Sequence, residues 1–219
     1  MPAALRVGPP ERAARHRLKG AALPAPASFR GVELRHVGEF GLIARVARRV
    51  ARTQPHPAGV VLGMGDDAAI LRPRRGEDVV VTTDAAVENV HFRWRTTPPR
   101  LVGARALLAA ASDLAAMGAR PLAVLVSLVA PPRLALATLE GCLDGLVSEA
   151  ARHGLPLVGG NVARGSVTSL TLTVLGAVRR GRALRRDRAR PGDRLFVTGA
   201  LGAAALDLAY VAAGRLDGF

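Results

Sequence analysis

Lysine is almost missing from this chain: Lys19 is the only one in 219 residues, so nearly all positive charge is arginine. Aromatic residues are scarce at 3%, which leaves a core of Leu, Val and Ala. Cys142 is the single cysteine. An intrachain disulfide is therefore excluded, and the default compartment is the cytoplasm. Cys142 shares a helical pattern with Leu139, Leu143, Leu146 and Ala150, the setting of a small buried hydrophobe rather than a nucleophile. No apolar run reaches the ~20 residues of a membrane-spanning helix. The closest, Leu101–Met117, carries Arg105 and Asp113. A G-x-x-x-x-G-K-S/T phosphate loop is also absent.

Acid is scarce but well placed. The formal net charge is +14. Residues 1–36 contribute +5 and residues 179–190 contribute +6, so the rest is near balance. Such basic segments can attract nucleic acid. Without interleaved aromatics for base stacking, a compositional preference for Arg explains them better. Against this background stand three acidic clusters: Gly65-Asp66-Asp67, Thr82-Thr83-Asp84 and Ser112-Asp113, each ending or interrupting an apolar run. Carboxylates carried to the rim of a core need a partner or a cation. Asp and hydroxyl oxygens on short loops suit Mg²⁺ bridging to phosphate. These residues point to a Mg-nucleotide enzyme.

The pattern along the chain predicts an α/β domain at about residues 37–178. Residues 1–36, rich in Ala, Pro and Arg, read as a basic arm without a secretory core. Phe40, Ile43, Ala44, Val46, Ala47 and Val50 form a helical stripe. Val60–Leu62 and Ala68–Leu71 flank the Gly63–Asp67 turn, and Asp78–Thr83 reads as a buried strand. Leu101–Gly118 is apolar nearly all round and reads as a buried helix. Leu122–Ala130 is a strand, Leu134–His153 a helix stopped by Gly154, and Leu157-Val158 a short strand entering Gly159-Gly160-Asn161. Ser169–Val178 alternates as a half-buried strand. Residues 179–219 read as an Arg-rich connector followed by one strand, Arg194–Thr198, and one helix, Ala203–Ala213. One strand and one helix cannot bury a core alone, so they read as the opening of a second α/β domain.

The ordered series Gly38-Glu39-Phe40, Gly63–Leu71, Thr82-Thr83-Asp84, Glu88-Asn89-Val90-His91-Phe92, Ser112–Ala119 and Gly159-Gly160-Asn161 resembles thiamine-monophosphate kinase, of the superfamily that includes aminoimidazole ribonucleotide synthase. The likeness runs from Gly38 to about Leu208. It implies a mixed β-sheet with helices packed on one side, dimerised through the sheets. It implies transfer of the γ-phosphoryl of ATP to thiamine monophosphate, giving thiamine diphosphate. By position, Asp67, Thr82, Thr83, Asp84, Asp113 and Asn161 would hold several Mg²⁺ ions, and His91 would touch thiamine monophosphate. Gly160, Asn161 and Arg186 would contact ATP. The chemistry agrees: the acceptor oxygen of a phosphate monoester is already anionic, so alignment and positive charge are needed more than a base.

Two departures carry expectations. Asn161 stands where the family usually has Asp, which removes one negative charge from a metal site. The family's second domain, with further Asp and Glu, extends beyond this chain, so an incomplete fragment of very low activity is expected. Two other readings remain open from the residues: another superfamily member such as aminoimidazole ribonucleotide synthase, and a non-catalytic basic protein that binds nucleotide or nucleic acid.

Overall fold

The computed structural model describes residues 32–54, 57–197 and 201–213. Most of the basic arm, and Thr198 at the end of the last expected strand, lie outside the described residues. The elements in chain order are α1 (Leu34–Thr53), β1 (Val60–Leu62), β2 (Ile70–Leu71), β3 (Glu77–Val87), α2 (Pro99–Ala116), β4 (Arg120–Ala130), α3 (Leu136–Arg152), β5 (Leu157–Arg164), β6 (Ser169–Arg179) and α4 (Ala203–Ala212). A single 3₁₀ turn covers Arg186–Arg188.

Four strands form a mixed sheet in the order β3-β6-β4-β5. β4 and β5 run parallel, joined through α3, and the other two pairs are antiparallel. Alternation decides the faces. Leu170, Leu172 and Val174 of β6 are buried, as are Val124, Val126 and Leu128 of β4. Thr171, Thr173, Leu125 and Ser127, between them, are only half-buried. The buried face carries α2, which contacts β3, β4 and β6, and α3 packs against α2. The architecture is therefore the expected α/β domain with a mixed sheet and helices on one side.

Close backbone approach fixes the α2–α3 crossing. A Cβ on Gly103 would lie 1.9 Å from the Cys142 carbonyl oxygen, and one on Gly145 would lie 1.9 Å from that of Arg100. Glycine is thus required at both positions. α1 is tied to α3 by Arg45–Glu140 at 2.6 Å and by an Arg49–Asp144 ion pair. The Gln54 side chain at its end donates to the Leu155 carbonyl and accepts from the Leu157 N–H.

Six expectations need correction. β3 is not a buried strand but a sheet edge with one open face, so Val79 and Val81 are 48% and 58% exposed. β5 is eight residues long rather than two, because β4 offers it a parallel partner through Arg164. α2 is not buried all round: Leu101 and Leu108 lie on its outer side. Phe40 leaves the α1 stripe at 85% exposure, since Gly38 (φ 68°, ψ 177°) breaks the helix two residues before it. Leu34 is already buried, its N–H bonded to the Leu134 carbonyl. Finally, residues 194–197 form no strand. A strand needs a hydrogen-bonding neighbour, and among the described residues these have none, leaving Leu195 and Phe196 exposed.

Candidate functional site

The site is built on the seam between β3 and α2. Thr82, Asp84 and Ala86 pair in register with Val174, Leu172 and Leu170, all on the helix-covered face. The Thr82 hydroxyl donates to Asp113 Oδ2 at 2.7 Å, joining the second and third acidic clusters across 31 residues of sequence. Asp113 lies in the last turn of α2, where the helix dipole is unfavourable to a carboxylate. Asp84 follows two residues after Thr82 on the same face, and its Oδ1 accepts the Ala85 N–H at 2.8 Å. Two carboxylates and a hydroxyl thus share one rim, with no arginine or lysine bonded to either acid among the described residues.

Beside this rim is a cavity of about 130 Å³ lined by Asp84, His91, Phe92, Val102, Arg105 and Ala109, among others. His91 is fixed by the turn after β3: its own N–H donates to the Val87 carbonyl at 2.8 Å. Its ring Nδ1 accepts the Val87 N–H at 3.1 Å. A neutral His91 must then carry its proton on Nε2, which makes that nitrogen a donor. The turn itself is anchored from behind. Glu88 exchanges hydrogen bonds with the buried Thr168, and Trp94 Nε1 donates to the Thr168 hydroxyl at 3.3 Å. Phe92 packs edge-on against Trp94, ring centroids 4.8 Å apart.

The remaining sequence-derived residues are more dispersed. Thr83 faces the open side of the sheet, beside Thr173, whose hydroxyl lies 3.5 Å away. Asp67 sits on the exposed turn between β1 and β2, its N–H bonded to Asp66 Oδ1. Asn161 is on the open face of β5, the opposite sheet edge from β3, three strand spacings or about 14 Å away. Gly160 has a packing reason of its own: a Cβ there would fall 2.0 Å from the Val126 carbonyl oxygen. Arg186 starts the 3₁₀ turn in the connector, which docks at the C-terminal end of α2 through the Leu184 N–H to the Met117 carbonyl at 3.0 Å. That is the Asp113 end of the helix. Among the described residues no three His, Cys, Asp or Glu converge as a closed metal cage. Asp84, Asp113 and Thr82 fit Mg²⁺ in its other habit, one or two carboxylates with phosphate and water completing the shell.

Sequence reading missed Arg105. It lines the same cavity as Asp84 and His91. The signal was present in its spacing: 105, 109 and 113 fall on one helical face.

The family of AIR synthase related proteins, N-terminal domain, matches residues 65–178. The thiamine-monophosphate kinase of Synechococcus elongatus is 41% identical over 147 residues, 67% of this chain and 45% of that protein. Among solved structures, the thiamine-monophosphate kinase of Stenotrophomonas maltophilia superposes with a TM-score of 0.69 at 41% identity, over 83% of this chain and 55% of that one. The complex of AaThiL with AMPPCP and TMP gives a TM-score of 0.58 at 31% identity, again over 83% and 55%. The chain spans about half the length of the curated relatives it matches. On the strength of the matched domain, the chain belongs to the AIR synthase related proteins, and the relatives named above are thiamine-monophosphate kinases.

Proposed function

We propose that this chain is the nucleotide- and Mg²⁺-binding part of an ATP-dependent thiamine-monophosphate kinase, which makes thiamine diphosphate by direct phosphoryl transfer. The observation that carries this reading is the Thr82–Asp113 hydrogen bond. It brings two separate acidic clusters to one rim, with Asp84 beside them and His91 in the adjoining cavity. On this reading residues 37–178 form the working domain, 1–36 a basic arm, and 179–219 the connector and the opening of a second domain. Sequence relatives that are kinases, and the AaThiL complex with AMPPCP and TMP, support the substrate pair.

The chain's own residues have defined tasks. Thr82 holds the Asp113 carboxylate in one orientation. Asp84 and Asp113 provide hard oxygens at the rim, while Thr83 on the open sheet face, Asp67 on the β1–β2 turn and Asn161 on the far sheet edge serve further Mg²⁺ ions away from it. Several Mg²⁺ ions, when bound, supply the positive charge that lets two polyanions approach. His91 offers its Nε2–H to the acceptor. Gly160, Asn161 and Arg186 serve ATP. No general base is required, because the acceptor oxygen is ionised near neutral pH. We further propose a cytoplasmic homodimer that joins the open sheet faces, where Val79, Val81, Thr83 and Thr173 are uncovered by helices. No helix among the described residues is long and apolar enough to cross a membrane.

The test is direct. The protein extended to the full length of its relatives should convert ATP and thiamine monophosphate to thiamine diphosphate in the presence of Mg²⁺. Asp113→Asn should lower turnover by roughly 100-fold or more while leaving the circular dichroism spectrum unchanged. Wild-type turnover in that variant overturns the metal assignment.

A further inference from the structure

Arg105 is an exposed cation with no ion-pair partner among the described residues, at the wall of a cavity whose other polar walls are Asp84 and His91. It lies two helical turns before Asp113 on the same face of α2, about 12 Å along the axis. The seam is therefore polarised. Its acidic end, Asp113 with Thr82 and Asp84, calls for cations, and its other end already carries one. The cavity beside Arg105 has apolar walls from Phe92, Val102 and Ala106, and Asp84 reaches it from the acidic end. An anionic group entering here meets the Arg105 guanidinium and the Nε2–H donor of His91. An uncharged hydroxyl can accept a hydrogen bond there but gains no charge assistance from Arg105.

We propose that Arg105 is the residue that binds the phosphate of the acceptor substrate, so that the cavity selects a phosphate monoester over the corresponding free alcohol. This rests on the kinase reading above and assigns a substrate contact that the acidic residues cannot make. A planar guanidinium can bind a phosphate through two parallel N–H···O bonds, and such charge-assisted bonds are among the stronger polar contacts. The acceptor's non-bridging oxygens are then held at one end while the oxygen to be phosphorylated faces the metal-binding rim.

Trp94 is the only tryptophan in the chain and packs on Phe92, which lines the cavity, so its fluorescence reports occupancy. The purified chain, with Mg²⁺ and a non-hydrolysable ATP analogue, is titrated with thiamine monophosphate and with thiamine. The wild type should prefer the phosphorylated ligand by about tenfold or more. Arg105→Ala should lose that preference, and Arg105→Lys should keep part of it, with all three chains giving the same far-ultraviolet circular dichroism. If Arg105→Ala discriminates as the wild type does, this inference is overturned and the kinase reading stands. If the wild type binds thiamine and thiamine monophosphate equally, the phosphate selection assigned to this cavity is overturned.

Discussion

Asn161 and Asp113 make opposite use of charge. Asp113 keeps an exposed carboxylate where the α2 dipole disfavours it, a cost that a bound cation would offset. Asn161 offers a carbonyl oxygen where the resemblance implies a carboxylate. Asn161→Asp in the extended protein should lower the Mg²⁺ concentration giving half-maximal rate, and an unchanged requirement places Asn161 away from any metal. Two other residues predict chemistry without substrate. Burial raises the Cys142 thiol to a pKa of about 12. A disulfide reagent such as dithionitrobenzoate at pH 8 should therefore modify it only at the rate of unfolding, and rapid native-state labelling contradicts its burial. Glu77 is held below the ordinary carboxylate pKa of 4.5, chiefly by the Arg74 N–H and then by Arg120, whose guanidinium is 2.8 Å away. Its contribution to stability is present above pH 4.5 and is lost as pH falls through its lowered folded value. Glu77→Gln should accordingly flatten the acid side of the stability–pH curve, followed by urea denaturation. An unaltered slope there removes Glu77 from the account.

At the scale of elements, glycines decide how closely the helices lie. Gly103→Ala should destabilise the domain by about 2–3 kcal/mol, because its methyl group meets the Cys142 carbonyl, which is backbone and cannot swing away. The urea midpoint should fall with an unchanged slope, and a midpoint equal to wild type contradicts the crossing geometry. Element identity was largely legible in the sequence. β6 alternates cleanly between Leu and Thr, α3 has an apolar stripe closed by Gly154, and β4 is a β-branched run. What local pattern does not encode is the neighbour. Nothing within Asp78–Thr83 says that β3 is an edge, so its valines read as core. Nothing within Arg194–Val197 says that no partner strand is at hand. The same distinction governs the site. Thr82, Asp84 and Asp113 were visible as acidic clusters and His91 through the resemblance. The separation of Asn161 from them depends on strand order. Arg105 was hidden because an arginine among thirty attracts no notice until a cavity gives it company.

For the whole molecule, the open sheet face is the feature that most affects behaviour in solution. If two copies join there, Val81→Asp should convert the species seen by light scattering at micromolar concentration from dimer to monomer, since the side chain is 58% exposed in the single chain. A monomeric wild type at that concentration excludes the proposed dimer. The strand order has a further consequence, in time rather than space. Among the described residues β3 pairs only with β6, and paired residues are 82 to 102 apart in sequence. At ordinary synthesis rates β3 waits roughly 4 to 20 s for that partner to be made. Throughout that interval Thr82 and Asp84 sit on a valine-rich ribbon with both edges unpaired. Among the described strands the last to emerge is inserted between two earlier ones, so a nascent chain stopped short of Ser169 has all the acidic residues of the rim and nothing to join β3 to the β4–β5 pair.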